Sequence, residues 1–125
     1  MQPIKHSPEL DTFKTRRVAV IDGNRAAAEI LHMFFRLMEL ECSLIDPFSD
    51  AVAIVRRLDP DVVILDLDLP NLRSLDLARE IRPPIIFITE DDPALTGIDA
   101  PVIRKPRGSF EELLRLMELV LALEA

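Results

Sequence analysis

The sequence is poor in the residues on which several classes of site depend. Only three of its 125 residues are glycine, and Cys42 is its one cysteine. A glycine-rich phosphate loop needs several glycines, and a disulfide or a zinc site built on thiolates needs more than one cysteine. Those sites are therefore excluded. A lone cysteine also fits a reducing compartment, so we expect a cytoplasmic location.

Long apolar runs and an excess of basic residues are also missing. No run of about 18 apolar residues occurs, so no membrane span is predicted. The polar residues 1–16 lack the apolar middle of a signal peptide and are interpreted as an N-terminal extension before one domain, 17–125. The 22 acidic and 15 basic residues give a net charge of -7. Because nucleic-acid affinity rests on basic surface, we expect no direct DNA or RNA binding by this domain.

Short apolar runs and turn signals alternate along the rest of the chain. Five runs predict strands, at 18–21, 44–45, 62–65, 85–88 and 102–103, of which the second is weak and the last is short. The segments between them predict helices, at 25–40, 50–58, from Ser74 or Leu75 to just before Pro83, and 110–123. Strands that alternate with helices predict an α/β fold, here a flavodoxin-like doubly wound sheet of five parallel strands in the order 2-1-3-4-5.

One connection is too short for the helix that such a fold usually has there. Residues 90–100, between the fourth and fifth strands, number only eleven and include Pro93 and Gly97. A mean helix takes about 11–12 residues before any connecting loop. We therefore expect the fourth of the usual five helices to be shortened to a turn at 93–95 or missing.

Charged and hydroxyl residues stand where four of the predicted strands end. Asp22 follows the first strand, Asp66 the third and Thr89 the fourth, and the fifth runs into Lys105. The carboxyl ends of parallel strands meet at one edge of a sheet, where ligands bind. Two carboxylates close together need a cation between them, and hard oxygens suit Mg²⁺. A carboxylate can also accept a phosphoryl group, whose oxygens a lysine and a hydroxyl would hold.

The same stretches resemble the receiver domain of two-component response regulators. They are residues 20–24 (VIDGN), 61–70 (DVVILDLDLP), 86–89 (IFIT) and 105–106 (KP). No one of them is specific, but all four occur in order, each at the end of a predicted strand. The resemblance extends over about residues 17–123 and implies a signalling role rather than an enzymatic one.

The resemblance implies a role for each residue at the strand ends. Asp66 would be the phosphoacceptor, Asp22 an acidic-pocket residue, Thr89 the switch hydroxyl and Lys105 the phosphate-contacting lysine. Mg²⁺ would be held by Asp22, Asp66 and the main-chain carbonyl of Asp68. A cis peptide bond would follow Lys105.

Several positions depart from the usual pattern of that family. Gly23 replaces a second acid that commonly binds Mg²⁺, so Mg²⁺ binding should be weak, with the Asp68 carboxylate as a candidate replacement. Glu90, followed by two further acids, replaces a small residue that leaves the phosphate accessible. Val102 replaces an aromatic switch residue, and the fourth helix is short.

These departures favour an atypical, degenerate receiver. It would act by protein–protein interaction or dimerisation, with weak or no phosphorylation at Asp66. The alternative is a conventional phosphoreceiver that accepts phosphate on Asp66 from a histidine kinase. A remote alternative is a haloacid-dehalogenase-like phosphatase with Asp68 as acid and base, but that family needs a further acidic pair after the lysine.

The first and last helices are apolar nearly all round, although a surface helix needs only one apolar stripe. In a flavodoxin-like sheet both helices lie on the same face. The excess apolar surface predicts a homodimer through these two helices, which are helices one and five of the family's usual set, unless the N-terminal extension covers it. A histidine kinase or another signalling protein is the further partner we expect.

Overall fold

The computed structural model describes residues 17–106 and 110–122. The predicted N-terminal extension, 1–16, lies outside the described residues. The strands are β1 Arg17–Ile21, β2 Glu41–Ile45, β3 Val62–Asp66, β4 Ile85–Thr89 and β5 Val102–Arg104. The helices are α1 Arg25–Leu37, α2 Ala51–Leu58, α3 Arg73–Glu80 and α4 Phe110–Ala122, with single 3-10 turns at Pro70–Leu72 and Pro93–Leu95.

All five strands pair in parallel in the order β2-β1-β3-β4-β5. This confirms the predicted fold class. The central strand, β3, is buried at every residue because helices cover both faces of the sheet. Asp66 of β3 pairs with Ile88 of β4, so the two strands end side by side at the same edge.

Each face of the sheet has its own hydrophobic core. One core joins alternate residues of the strands to α1 and α4, so the two most apolar helices share a face, as expected. The other core joins the remaining strand residues to α2 and α3. Cys42 is buried in the first core, where burial raises the pKa of its thiol to about 12, although the charge of Arg36 lowers it slightly.

The first helix ends three residues before its predicted end. Glu39 adopts a φ of 64° in the left-handed region, and the amide of Leu40 donates to the carbonyl of Phe35 (2.9 Å). This reversal buries Leu40 in the core, at 3% exposure. An apolar pattern alone could not distinguish a last helical residue from one that packs after the helix has ended.

The connection between β4 and β5 contains only a single turn of helix at Pro93–Leu95, as predicted. The Asp92 carboxylate caps this turn by accepting from the amide of Ala94 (3.0 Å). Leu95 is 81% exposed, because a single turn is too short to pack an apolar face against the sheet. None of the helices in the described part of the chain has the length and apolar character that a membrane crossing needs.

Candidate functional site

The residues predicted at the strand ends lie together at the carboxyl edge of the sheet. Asp22 follows β1, Asp66 and Thr89 are the last residues of β3 and β4, and Lys105 follows β5. Although polar or charged, all four are buried, with exposures between 2% and 7%. Buried charges are costly unless they are paired and hydrogen-bonded, so their partners decide what this edge can do.

The Lys105 ammonium lies between the two buried carboxylates. Its Nζ is 2.9 Å from Oδ1 of Asp22 and 3.1 Å from Oδ2 of Asp66. The main-chain amide of Lys105 donates to the carbonyl of Thr89 (2.7 Å), which prolongs the pairing of β5 with β4 and fixes the base of the side chain. The expected cis bond after Lys105 is wrong: no peptide bond within the described residues is cis, and the ammonium reaches both carboxylates from a trans backbone.

Asp22 and Lys105 shift each other's pKa. The pKa of Asp22 is raised from 3.8 to about 6, mainly because the carboxyl is buried and also because Asp66 lies beside it. Hydrogen bonds from the Asn24 amide (2.8 Å) and from Lys105 oppose this shift. Burial lowers the pKa of Lys105, but the hydrogen bonds and charges of Asp22 and Asp66 outweigh it, so this pKa lies above its ordinary value. The lysine is therefore charged at neutral pH and stabilises the carboxylates.

Main-chain groups and one serine hold Asp66 in place. Its Oδ1 accepts from the amide of Asp68 (2.8 Å) and its Oδ2 from the amide of Gly23 (3.3 Å). Its main-chain carbonyl accepts from the hydroxyl of Ser74 (2.5 Å), which is 2% exposed. Sequence reasoning missed Ser74 as a positioning residue. The one feature of the sequence that could have indicated this role is a small hydroxyl residue near the start of the helix after β3.

The Asp68 side chain is directed towards the end of β4. Its Oδ1 accepts from the Thr89 hydroxyl (2.8 Å) and its Oδ2 from the main-chain amide of Glu90 (2.7 Å). The Thr89 hydroxyl accepts in turn from the amide of Asp91 (3.1 Å). Sequence reasoning did not predict these contacts, because they depend on how the loop after β3 turns.

The carboxylates of Asp22 and Asp66 fit a small hard cation. Oδ2 of Asp22 is buried and has no hydrogen-bond partner, and Mg²⁺ is commonly held by one or two carboxylates together with water. Across residues 17–106 and 110–122, no three His, Cys, Asp or Glu side chains are grouped as a metal site. A Cβ at Gly23 would lie 4.0 Å from Oδ2 of Asp66, so the missing acid would have stood beside this pocket. Asp68 as a metal ligand stays a prediction.

Comparison with known sequences identifies the relatives of this chain. The family model described as the response regulator receiver domain matches residues 18–102, more than half of the chain. The DNA-binding response regulator MtrA of Mycolicibacterium smegmatis is 34% identical over 84 residues, which are 64% of this chain and 36% of that protein. The probable transcriptional regulatory protein TcrX of Mycobacterium tuberculosis is 31% identical over 114 residues, 82% of this chain and 49% of that protein. The chain thus spans half or less of the length of these relatives.

Solved structures share the fold at lower sequence identity. A chemotaxis response regulator of Vibrio cholerae superposes with a TM-score of 0.72 at 19% identity, over 86% of this chain and 100% of that one. The BeF3-activated N-terminal receiver domain of RstA from Klebsiella pneumoniae gives a TM-score of 0.70 at 20% identity, over 85% of this chain and 98% of that one.

Proposed function

Because this chain belongs to the receiver-domain family of response regulators, we propose that it is an atypical receiver that acts mainly through protein contacts, with weak or no phosphorylation at Asp66. Receiver domains are signalling domains rather than enzymes, so the phosphatase alternative falls away. The observation that carries the proposal is the composition of the acidic pocket. It contains two carboxylates and one ammonium, with Gly23 where a further acid would stand.

The pocket keeps some of the groups that phosphate chemistry needs, but its surroundings oppose a phosphodonor. Asp66 offers a carboxylate oxygen, and Lys105 is close enough to neutralise an incoming phosphoryl group. Against this, the acids at 90–92 are all exposed beside the end of β4. Each close pair of like charges costs about 1–4 kcal/mol, depending on the effective dielectric. A negatively charged phosphodonor would therefore meet repulsion at this edge.

Receiver domains generally bind Mg²⁺ at their acidic pocket. In this chain Asp22 and Asp66 would hold the ion. When bound, it would screen the negative charge of the phosphoryl oxygens. We infer that binding is weak, because one carboxylate fewer lowers the attraction for a divalent cation.

The alternative is a conventional phosphoreceiver, and the intact grouping of Asp66, Thr89 and Lys105 favours it. Receiver domains interact with histidine kinases. In such a transfer the P–N bond of a phosphohistidine breaks, and a P–O bond forms to the Asp66 carboxylate. Lys105 would then pair with the new phosphoryl oxygens.

We propose a second copy of this chain as one protein partner. Met33 and Leu37 are spaced four residues apart on α1 and are 58% and 74% exposed, and Leu114 on α4 is 36% exposed. Residues four apart share one face of a helix, and both helices cover the same face of the sheet. We expect Leu37→Glu to convert a dimer to a monomer in light scattering, with Arg56→Glu on the exposed side of α2 as the control. A monomeric wild type would exclude this surface as a homodimer interface and leave the N-terminal extension as its cover.

Direct nucleic-acid binding is not part of this proposal, because the net charge of -7 opposes attraction to phosphate backbones. A membrane partner is not proposed either. The cytoplasmic location stays a prediction.

The test is incubation with Mg²⁺ and acetyl phosphate, followed by intact mass spectrometry. For an atypical receiver we expect a minor fraction with one added phosphoryl group or none, and no adduct in Asp66→Asn. A nearly complete adduct that Asp66→Asn abolishes would overturn the proposal in favour of a conventional phosphoreceiver. Asp50→Asn, a surface carboxylate outside the pocket, is the matched control.

A further inference from the structure

The Asp68 carboxylate occupies two hydrogen-bond donors at the end of β4. Both of its oxygens are used, one by the Thr89 hydroxyl (2.8 Å) and the other by the Glu90 amide (2.7 Å). These are short bonds to an ionised acceptor, the class that is about twice as strong as a neutral pair. A hydroxyl and a main-chain amide that both point at one anion form an anion-binding site, and this chain fills that site with its own side chain.

This anion site lies directly beside the proposed phosphoacceptor. The amide of Asp68 donates to Oδ1 of Asp66 (2.8 Å), so the loop turns back immediately after β3. Asp66 is in register with Ile88, the residue before Thr89. A phosphoryl group on Asp66 would therefore stand at the same edge of the sheet as the donors that Asp68 now holds.

We propose that Asp68 is an internal counter-anion that occupies the phosphoryl-binding donors of Thr89 and Glu90 and must be displaced before Asp66 can hold a phosphoryl group. The inference rests on the proposed function and supplies a cause for weak phosphorylation. A phosphoryl group brings three acceptor oxygens and a charge of about -1.5 to -2. It competes with Asp68 for the same donors and is repelled by it.

The same contact has a consequence in the unphosphorylated protein. Thr89 is only 2% exposed, and its hydroxyl is already turned towards an anion. Asp68 therefore already binds, in the unphosphorylated protein, the donors for which a phosphoryl group would compete. This role is opposite to that of a metal ligand, for which removal of Asp68 would weaken Mg²⁺ binding and slow phosphorylation.

The first test examines the contact without any phosphodonor. Amide resonances are compared between the wild type, Asp68→Asn, Asp68→Ala and Asp91→Asn. Asp91→Asn removes one charge from the same edge but keeps the backbone amide. We expect the Glu90 amide proton to move upfield in both Asp68 variants, because it loses a charged acceptor, and to stay near its wild-type position in Asp91→Asn. An unchanged Glu90 amide in the Asp68 variants would overturn the proposal.

The second test follows phosphorylation by acetyl phosphate with Mg²⁺, using intact mass. The acyl phosphate O–P bond breaks, acetate leaves, and an oxygen of Asp66 gains the phosphoryl group. We expect the initial rate to rise about tenfold in Asp68→Ala, the scale of a lost charged hydrogen bond, and less in Asp68→Asn, whose amide oxygen can still accept from Thr89. Asp91→Asn relieves only part of the charge repulsion at this edge and leaves the contacts of Asp68 in place, so it should raise the rate less than Asp68→Ala does.

The outcomes separate this inference from the function on which it rests. A faster Asp68→Ala supports the inference, whether the wild type is phosphorylated poorly or well; a well-phosphorylated wild type would overturn only the atypical receiver. An Asp68→Ala rate equal to or below that of the wild type overturns the inference. If neither protein is phosphorylated, the inference also fails, while the receiver that acts without phosphate stands.

Discussion

Asp66 and Asp68 are two residues apart, yet their carboxylates lie in different surroundings. The inner site consists of Asp22, Asp66 and Lys105, in which two buried carboxylates share one buried ammonium. The outer site consists of Asp68, Thr89 and Glu90, in which the carboxylate of an exposed residue binds a hydroxyl and an amide. Burial and the charge of the partner thus differ sharply over a distance of one short turn.

The difference shows that one loop can carry both a carboxylate that keeps its partners and a carboxylate that can change them. A buried ion pair is hard to break, because the group left behind is an uncompensated charge in a low dielectric. A carboxylate of an exposed residue that loses neutral donors can be solvated by water at little cost. The inner site should therefore be fixed, whereas the outer carboxylate can leave its donors when another anion arrives.

The largest effect is expected from removing the shared ammonium. In Lys105→Met the two inner carboxylates lose their cation, and we expect the free energy of unfolding to fall by about 3–5 kcal/mol at pH 7.5. Urea unfolding measures it, with Arg79→Met as the control. Arg79 forms an exposed pair with Asp76 at 3.9 Å, and such pairs contribute about 0–1 kcal/mol.

The loss in Lys105→Met should shrink at pH 5. Asp22, with a pKa of about 6, is then mostly neutral, and the repulsion within the inner site falls. Equal losses for Lys105→Met and Arg79→Met at pH 7.5 would contradict the contrast between the buried and exposed pairs.

The next effect is a pH dependence of stability caused by Asp22. Its pKa rises from 3.8 to about 6 on folding, so its contribution is fully present below pH 3.8 and is lost as the pH rises through 6. We expect the stability of the wild type relative to Asp22→Asn to fall by about 2 kcal/mol between pH 4 and pH 7. Urea unfolding in buffers that contain a chelator measures this difference. A flat or rising difference would show that burial does not dominate at Asp22.

A smaller effect is expected when the missing acid is restored. Gly23→Asp adds a carboxylate beside Asp66, and we expect Mg²⁺ to bind about tenfold more tightly, or about 1.4 kcal/mol. The added Cβ would lie 3.3 Å from Cδ2 of Leu69, which has to shift by only a few tenths of an ångström. Isothermal titration measures Kd, and Asn71→Asp adds the same charge in an exposed turn. An unchanged Kd would mean that the number of carboxylates does not limit Mg²⁺ binding.

The smallest effect is expected at the outer site. Asp68→Ala should lower the free energy of unfolding by only about 1 kcal/mol, because Asp68 is exposed and water can enter the space of its side chain and accept from Thr89 and Glu90. Asp91→Ala, an exposed acid beside it, should remain within about 0.5 kcal/mol of the wild type. Urea unfolding compares the two variants. A loss at Asp68 as large as that in Lys105→Met would make the outer site as fixed as the inner one.

Much of the inner site was predictable because it depends on pattern and topology. Strands that alternate with helices form a parallel sheet, and parallel strands end at one edge. Asp22, Asp66 and Lys105 were therefore expected together, although up to 83 residues separate them in the chain. Their roles in phosphate and metal binding stay predictions.

The outer site could not be predicted in the same way. Asp68 follows the strand by two residues, and its position alone fits a solvated loop acid, a metal ligand or a catalytic acid. Its actual partners depend on the turn made by the loop, which the amide of Asp68 fixes by donating to Asp66. The hydroxyl of Ser74 behaves similarly, because only the packing of α3 brings it to the carbonyl of Asp66.

Periodicity, loop length and parallel pairing are local or topological constraints. The residue pattern was therefore enough to predict the order of the strands, the loss of the helix between β4 and β5, and the residues that stand at the strand ends. The packing of the folded chain was needed to show that Asp22 and Asp66 share the lysine while Asp68 binds Thr89. It also set the end of α1 and the trans backbone after Lys105. Those outcomes depend on side-chain directions and burial over a few ångströms, which the folded chain sets and no residue pattern encodes.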